Sequence, residues 1–151
     1  NDFSRYSSIV ILCGLVCGLI GDILLDLKVV YPFHEDKYLT FGMLSFLFGH
    51  LFFIASMGVI FAGNATKAII FPVIFIVVIS AIFAVGIWFV TSRYMHLDYG
   101  KHALLSTIYA GVLLFTTVFS IYLAFSTMLT SLFIMAVGFL LFLASDLVLS
   151  L

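Results

Sequence analysis

Residues 7–29 read SSIVILCGLVCGLIGDILLDLKV, and no charged side chain occurs in this run before Asp22. A helix needs about 20 mainly apolar residues to cross a bilayer, so this run is long enough to do so. Four similar runs follow, at residues 38–62, 68–91, 103–125 and 128–151. Lipid leaves backbone amides unpaired unless a segment is helical or closes a barrel, and these runs lack the alternation of barrel strands. The sequence therefore predicts an all-α, polytopic transmembrane helix bundle with five spans.

The composition is that of a protein in lipid, with 65% hydrophobic and 9% charged residues. The net charge of -1 is spread thinly, so no basic patch for nucleic acid is expected and the bilayer is the predicted surrounding. Cys13 and Cys17 lie four residues apart on one helix face. We interpret them as small packing residues, because this spacing is not that of a redox or zinc pair.

The chain is predicted to form one transmembrane helical domain over residues 1–151, since no linker or low-complexity tract divides it. It begins at Asn1 without methionine and ends within an apolar run at Leu151, which is typical of a fragment. Short connections make neighbouring spans antiparallel, so the loops at residues 28–37 and 92–101 lie on one side. That side carries Lys28, Lys37, Arg93 and Lys101, against Arg5 and Lys67 on the other. By the positive-inside rule, the side with the loops at residues 28–37 and 92–101 is expected to face the cytoplasm.

Ionisable side chains within the spans are few: Asp22, Asp26, His50 and Asp146, with Tyr109 as a weaker acid. A charged Asp at the bilayer centre costs about 2.5–3.5 kcal/mol on insertion scales, so such residues normally face the bundle interior. Gly14 and Gly18 precede Asp22 and Asp26 at intervals of four residues. The carboxylates thus continue a stripe of small residues, which is typical of a helix-packing face.

Ionisable residues from three spans are predicted to lie at similar depths below the membrane surface. With a rise of about 1.5 Å per residue, Asp22 and Tyr109 both lie roughly 10 Å below the surface that carries residues 28–37. The fifth span returns to the same surface, which places Asp146 near its last turn, and His50 lies somewhat deeper. The sequence therefore predicts that carboxylates and a phenol from distant spans meet at one level.

Each of these residues also has a structural interpretation. Asp26 and Lys28 can form an interfacial charge cluster, His50 can join two helices through a hydrogen bond, and Tyr109 can be a packing aromatic. Asp22 and Asp146 are harder to explain in this way, because a structural bundle gains little from two aspartates in lipid.

Four segments, in order along the chain, resemble the YhhN/TMEM86 family of lysoplasmalogenase-like integral membrane hydrolases. They are GDILLD at 21–26, FGMLSFLFGH at 41–50, Tyr109-Ala110, and GFLLFLASD at 138–146. Their order and spacing cover almost the whole chain. Family members usually have about eight helices, so the resemblance implies two further apolar segments before residue 7 and a pair after residue 151.

The resemblance implies hydrolysis of the vinyl ether bond of a lysoplasmalogen, giving a fatty aldehyde and glycerophosphocholine or glycerophosphoethanolamine. The expected substrate is a lysophospholipid, and no cofactor or metal is expected. Asp22 and Asp146 would share one proton and supply an acid and a base. His50 or Tyr109 would orient water or relay protons.

The predicted substrate-binding residues lie toward the loops. Asp26 would stand at the entrance, and Lys37, Arg93 and Lys101 would meet the substrate phosphate. The expected location is a bacterial inner membrane, or the endoplasmic reticulum membrane of a eukaryote, with the site toward the cytoplasm. The sequence makes no prediction of oligomeric state.

The leading alternative is a proton-coupled transporter, because intramembrane Asp and His residues also form proton relays. No pair of Gly- or Pro-interrupted spans supports it. A scaffold protein leaves the deep aspartates unexplained. A metal hydrolase commonly uses several His or carboxylate ligands, whereas His50 is the one intramembrane histidine. A catalytic triad with Ser145 and Asp146 lacks a nucleophile-elbow motif.

Overall fold

Five α-helices make up almost all of the computed structural model, which describes residues 2–64, 70–94 and 102–149. They are α1 Asp2–Val30, α2 Glu35–Asn64, α3 Ile70–Tyr94, α4 Ala103–Thr127 and α5 Thr130–Leu149. A 3-10 turn, Pro32–His34, connects α1 to α2. The prediction of an all-α bundle is confirmed, and the helix ends differ from the predicted spans by a few residues.

Four of these helices, α1, α2, α4 and α5, are long and apolar enough to cross a membrane within the residues described. In α3 the corresponding apolar stretch among the described residues is Pro72–Gly86, which is shorter than a full span. Pro72 lies in the first turn of α3, where a missing backbone N–H costs little. These lengths and compositions indicate an integral membrane protein.

Helix α4 is the centre of the bundle and packs against α2, α3 and α5. Its buried polar residues do not need partners from other helices. The hydroxyls of Thr116, Thr117 and Ser120 donate to carbonyls of α4 itself, three or four residues earlier. At its end, Met128 takes a left-handed conformation with φ 54°, and its N–H donates to the carbonyl of Ala124. This cap stops α4 and allows the tight turn into α5.

Helices α1 and α2 form a close antiparallel pair through glycines. A Cβ atom at Gly49 would lie 3.1 Å from the carbonyl oxygen of Gly14, and one at Gly21 would lie 2.8 Å from the ring of Phe46. The hydroxyl of Ser45 also donates to the carbonyl of Cys17, at 2.6 Å. The stripe of small residues is therefore a helix-packing face, as predicted.

Gly18 is an exception within that stripe. Its backbone nitrogen lies near Gly49, but a Cβ atom at Gly18 would meet no heavy atom within 4 Å. Gly18 therefore packs against α2 through its backbone, whereas the direction of its Cβ is open.

The loop-side surface is assembled from α1, α2 and the start of α4. Lys28 forms an ion pair with Glu35, with 3.6 Å between Nζ and Oε1. The imidazole of His102, just before α4, lies 3.3 Å from Asp36 Oδ1. The turn between α1 and α2 and the beginning of α4 therefore lie on the same side, as the antiparallel threading predicts.

Candidate functional site

A largely apolar cleft of about 480 Å³ lies between α1 and α5, with α2 as its floor. Because α1 packs against α2 while α5 packs against α4, these two helices form separate walls. The lining includes Gly14, Gly18 and Asp22 of α1, Phe46, His50 and Phe53 of α2, and Met135, Phe139 and Phe142 of α5. A volume of this size falls in the range of small-molecule sites, about 300–1,000 Å³.

Tyr109 and Asp146 form a hydrogen-bonded pair beside this cleft. The phenol of Tyr109 donates to Oδ2 of Asp146 at 2.5 Å, which joins α4 to α5. The Tyr109 ring is only 9% exposed and packs near Phe46, with 6.4 Å between ring centroids. Aromatic packing therefore fixes the direction in which the phenol points.

His50 stands between this pair and the cleft. Its side chain is 3% exposed, and its ring lies 6.3 Å from that of Tyr109 and 5.3 Å from that of Phe142. Within the described part of the chain, its Nδ1 has no hydrogen-bond partner. Buried polar atoms nearly always have partners, so an unpaired one in a cleft wall calls for an explanation. The interpretation of His50 as a hydrogen-bonded link between helices finds no support at this atom.

Asp22 completes the group from the α1 wall. It lines the cleft, is exposed there, and is close enough to Asp146 and Tyr109 to act on both electrostatically. The structure thus brings together the four residues predicted to be catalytic. Two of them are hydrogen-bonded to each other, and the other two line the adjoining cleft.

Comparison with known protein families assigns the chain as a whole. A model of the YhhN family matches residues 1–151. The chain belongs to the YhhN family. No curated protein and no solved structure matches it. The resemblance inferred from the four sequence segments is therefore confirmed, and membership is consistent with a hydrolase.

The predicted substrate-binding residues of this YhhN protein are not brought together in the same way. Asp26 is exposed on α1, one turn from Asp22 toward the loop. Lys37 is exposed and lines a second pocket of about 400 Å³. Arg93 is exposed near the end of α3, which packs against α4 and contributes no described residue to the cleft lining. Lys101 lies outside the described residues.

The second pocket contains a residue to which sequence reasoning gave no role. His102 Nδ1 lies 3.3 Å from the hydroxyl of Thr40, and the other ring nitrogen contacts Asp36. The hydroxyl of Thr40 in turn donates to the backbone carbonyl of Asp36. His102 therefore links α2 to the start of α4 in this YhhN protein. The only sequence signal was that antiparallel threading places both segments on one side of the membrane.

A metal centre is not formed by the part of this YhhN chain that the structure describes. Within residues 2–64, 70–94 and 102–149, no group of three or more His, Cys, Asp or Glu side chains is arranged to hold an ion.

Proposed function

We propose that this YhhN protein is a membrane-embedded hydrolase that cleaves the vinyl ether bond of a lysoplasmalogen. The observation that carries the proposal is the Tyr109–Asp146 hydrogen bond beside Asp22, at one end of an apolar cleft. The products would be a fatty aldehyde and glycerophosphocholine or glycerophosphoethanolamine. Membership of the YhhN family supports the assignment at the level of a membrane hydrolase.

Vinyl ether hydrolysis needs acid and base groups but no redox partner. An acid first adds a proton to the alkene carbon remote from the ether oxygen, which leaves an oxocarbenium ion. Water then adds to the cationic carbon and loses a proton to a base, giving a hemiacetal. The hemiacetal hydroxyl then loses its proton to a base while the bond to the glycerol oxygen breaks, that oxygen takes up a proton from an acid, and the aldehyde is released. One water molecule is consumed in total.

We assign the acid role to Asp22 and the base role to Asp146. Asp22 lines the cleft, so its carboxyl is the one that can reach the alkene of a bound chain. Asp146 accepts the hydrogen bond of Tyr109, which suits a carboxylate that offsets the positive charge of the oxocarbenium ion. In this proposal the two carboxyls together supply the acid and the base that the reaction needs.

His50 has the position of a group that holds water or the hemiacetal hydroxyl. Its side chain lines the cleft close to the ring of Tyr109, and its buried Nδ1 has no hydrogen-bond partner among the described residues. A neutral imidazole donates from one nitrogen and accepts at the other, so it can orient a water molecule without adding charge. Tyr109, bonded to Asp146, would pass the water proton to that carboxylate.

The polar head of the substrate would lie toward the loop-side surface. Lys37 and Arg93 are exposed on that side, and together with Lys101 they would attract the phosphate. Asp26 would mark the entrance. By the positive-inside rule this surface is cytoplasmic, in a bacterial inner membrane or the endoplasmic reticulum.

The proposal is tested by giving purified protein a vinyl ether lysolipid and, separately, its ester-linked counterpart. We expect aldehyde from the first lipid only, and its loss in Asp22→Asn and Asp146→Asn. Glu35→Gln, in the loop-side ion pair with Lys28, is the control and should keep the activity. No aldehyde from the unaltered protein, together with proton-driven solute flux in vesicles, would replace the hydrolase with a transporter.

A further inference from the structure

Two glycines of the cleft have no packing reason to be glycine. Gly18 lies in the α1 wall and Gly138 in the α5 wall, and a Cβ atom at either would meet no heavy atom within 4 Å. Gly14, which lines the same cleft, differs because a Cβ there would clash with Phe53. The space in front of Gly18 and Gly138 is therefore the cleft itself.

Polarity changes along the cleft. Phe46 and Phe142 pack together at the end that contains Asp22, whereas Phe53 and Met135 line the opposite part with Ile11. From Asp22 to Ile11 the α1 wall extends roughly 16 Å, at about 1.5 Å per residue. Asp22 and His50 are the only ionisable residues among the described lining; Asp22 lies at the loop-side end and His50 near the middle. Beyond His50 the cleft is apolar.

An independent observation indicates that a ligand with a polar group belongs here. The Nδ1 atom of His50 is buried and has no partner among the described residues, although its side chain lines the cleft. The rim is apolar and accessible from the membrane, since Leu15 and Leu19 line the cleft and are 58% and 60% exposed. A molecule that matches these features has one polar end followed by one long apolar chain.

We infer that the cleft holds the single hydrocarbon chain of a lysophospholipid, and that Gly138 determines which chain lengths it accepts. The polar end of the chain lies at Asp22 and His50, and its terminal carbons lie toward Ile11 and Met135. Gly18 is about 6 Å from Asp22 along α1, so it borders the first carbons of every chain. This inference rests on the proposed function for the identity of the lipid. It adds the path of the chain and the residue that limits its length.

The test measures binding with lipids that cannot be hydrolysed. Lysophosphatidylcholines with a saturated ether-linked chain of about 8 to 18 carbons are bound to the full chain in nanodiscs of diacyl lipid. Because the chain enters the cleft from lipid, the transfer of a methylene gains little free energy, and a leucine in its path acts by overpacking, which should cost about tenfold in affinity. We expect Gly138→Leu to cause this loss for 16- and 18-carbon chains and a change of less than about twofold for 8-carbon chains, whereas Gly18→Leu should weaken the binding of every chain.

Gly86→Leu is the matched control. Gly86 also has no heavy atom within 4 Å of an added Cβ, but it lies on α3 and does not line the cleft. The affinity of the Gly86→Leu variant for each chain length should equal that of the unaltered protein. An equal loss at every chain length in Gly138→Leu, as expected if a further helix or a second copy fills the cleft, would overturn the inference. An unchanged affinity at every chain length in that variant would do the same.

A second measurement covers the case in which a leucine variant does not fold. A lysophosphatidylcholine with a photoreactive diazirine at the end of its chain should label the unaltered protein near Ile11 or Met135. Labelling confined to other helices would contradict the inferred path. Chain-length selection without aldehyde release would keep the chain site and reject the hydrolase, whereas aldehyde release without selection would reject only the chain site.

Discussion

The phenol of Tyr109 donates a hydrogen bond of 2.5 Å to Oδ2 of Asp146, joining the central helix α4 to the end of α5. If this bond positions the carboxylate, Tyr109→Phe should lower the rate of aldehyde release by about 10- to 100-fold, since hydrogen bonds to charged groups are worth about 1.5–3 kcal/mol. Tyr122→Phe, on the same helix, is the control. A Tyr109→Phe protein with an unaltered rate would remove Tyr109 from the mechanism.

Replacing His50 separates a functional role from a structural one. His50→Phe removes an unpaired buried nitrogen and places an aromatic ring beside Phe53, Phe139 and Phe142. A buried unsatisfied polar group costs about 1–3 kcal/mol, so the thermal unfolding midpoint should stay the same or rise. Aldehyde release should fall at least about tenfold. The opposite pattern, lower stability with full activity, would show that His50 serves the fold.

The close contact of Gly14 with α2 allows a prediction about the free energy of unfolding that does not depend on the proposed function. A Cβ atom at Gly14 would lie 2.9 Å from the Phe53 ring and 3.1 Å from the carbonyl oxygen of Gly49. Gly14→Ala should therefore lower the free energy of unfolding by about 1–3 kcal/mol, the usual cost of overpacking. Chemical denaturation in detergent micelles measures this quantity.

Gly58→Ala is the comparison for that experiment. An added Cβ at Gly58 meets nothing within 4 Å, and alanine favours a helix over glycine by up to about 1 kcal/mol. This variant should therefore be as stable as the unaltered protein or more so. Equal stability of the Gly14 and Gly58 variants would mean that α1 and α2 do not approach as closely as described.

Much of this architecture follows from residue periodicity and the bilayer. Five apolar runs gave five helices, and the intervals of four residues put Gly14, Gly18 and Asp22 in the lining of one cleft. Antiparallel threading with a fixed rise also put Asp22, Tyr109 and Asp146 at one depth. These properties depend on single helices and short loops, which is why sequence alone specifies them.

Other features depend on which helices are neighbours, and the sequence did not contain that information. Equal depth did not indicate that Tyr109 would bond Asp146, because this needs α4 at the centre and a particular rotation of α5. Gly18 belongs to the same stripe as Gly14 yet faces the cleft. Lys37 was expected near a phosphate at the site, but it lines the second pocket beside His102.

The central claim is that a proton shared by Asp22 and Asp146 starts the reaction at carbon. Hydrolysis of a vinyl ether lysolipid in D₂O tests this directly, with mass spectrometry of the aldehyde. We predict one deuterium on the carbon next to the carbonyl group, and loss of product in both Asp→Asn variants but not in Glu35→Gln. Aldehyde without deuterium, or full activity in either aspartate variant, would contradict the account.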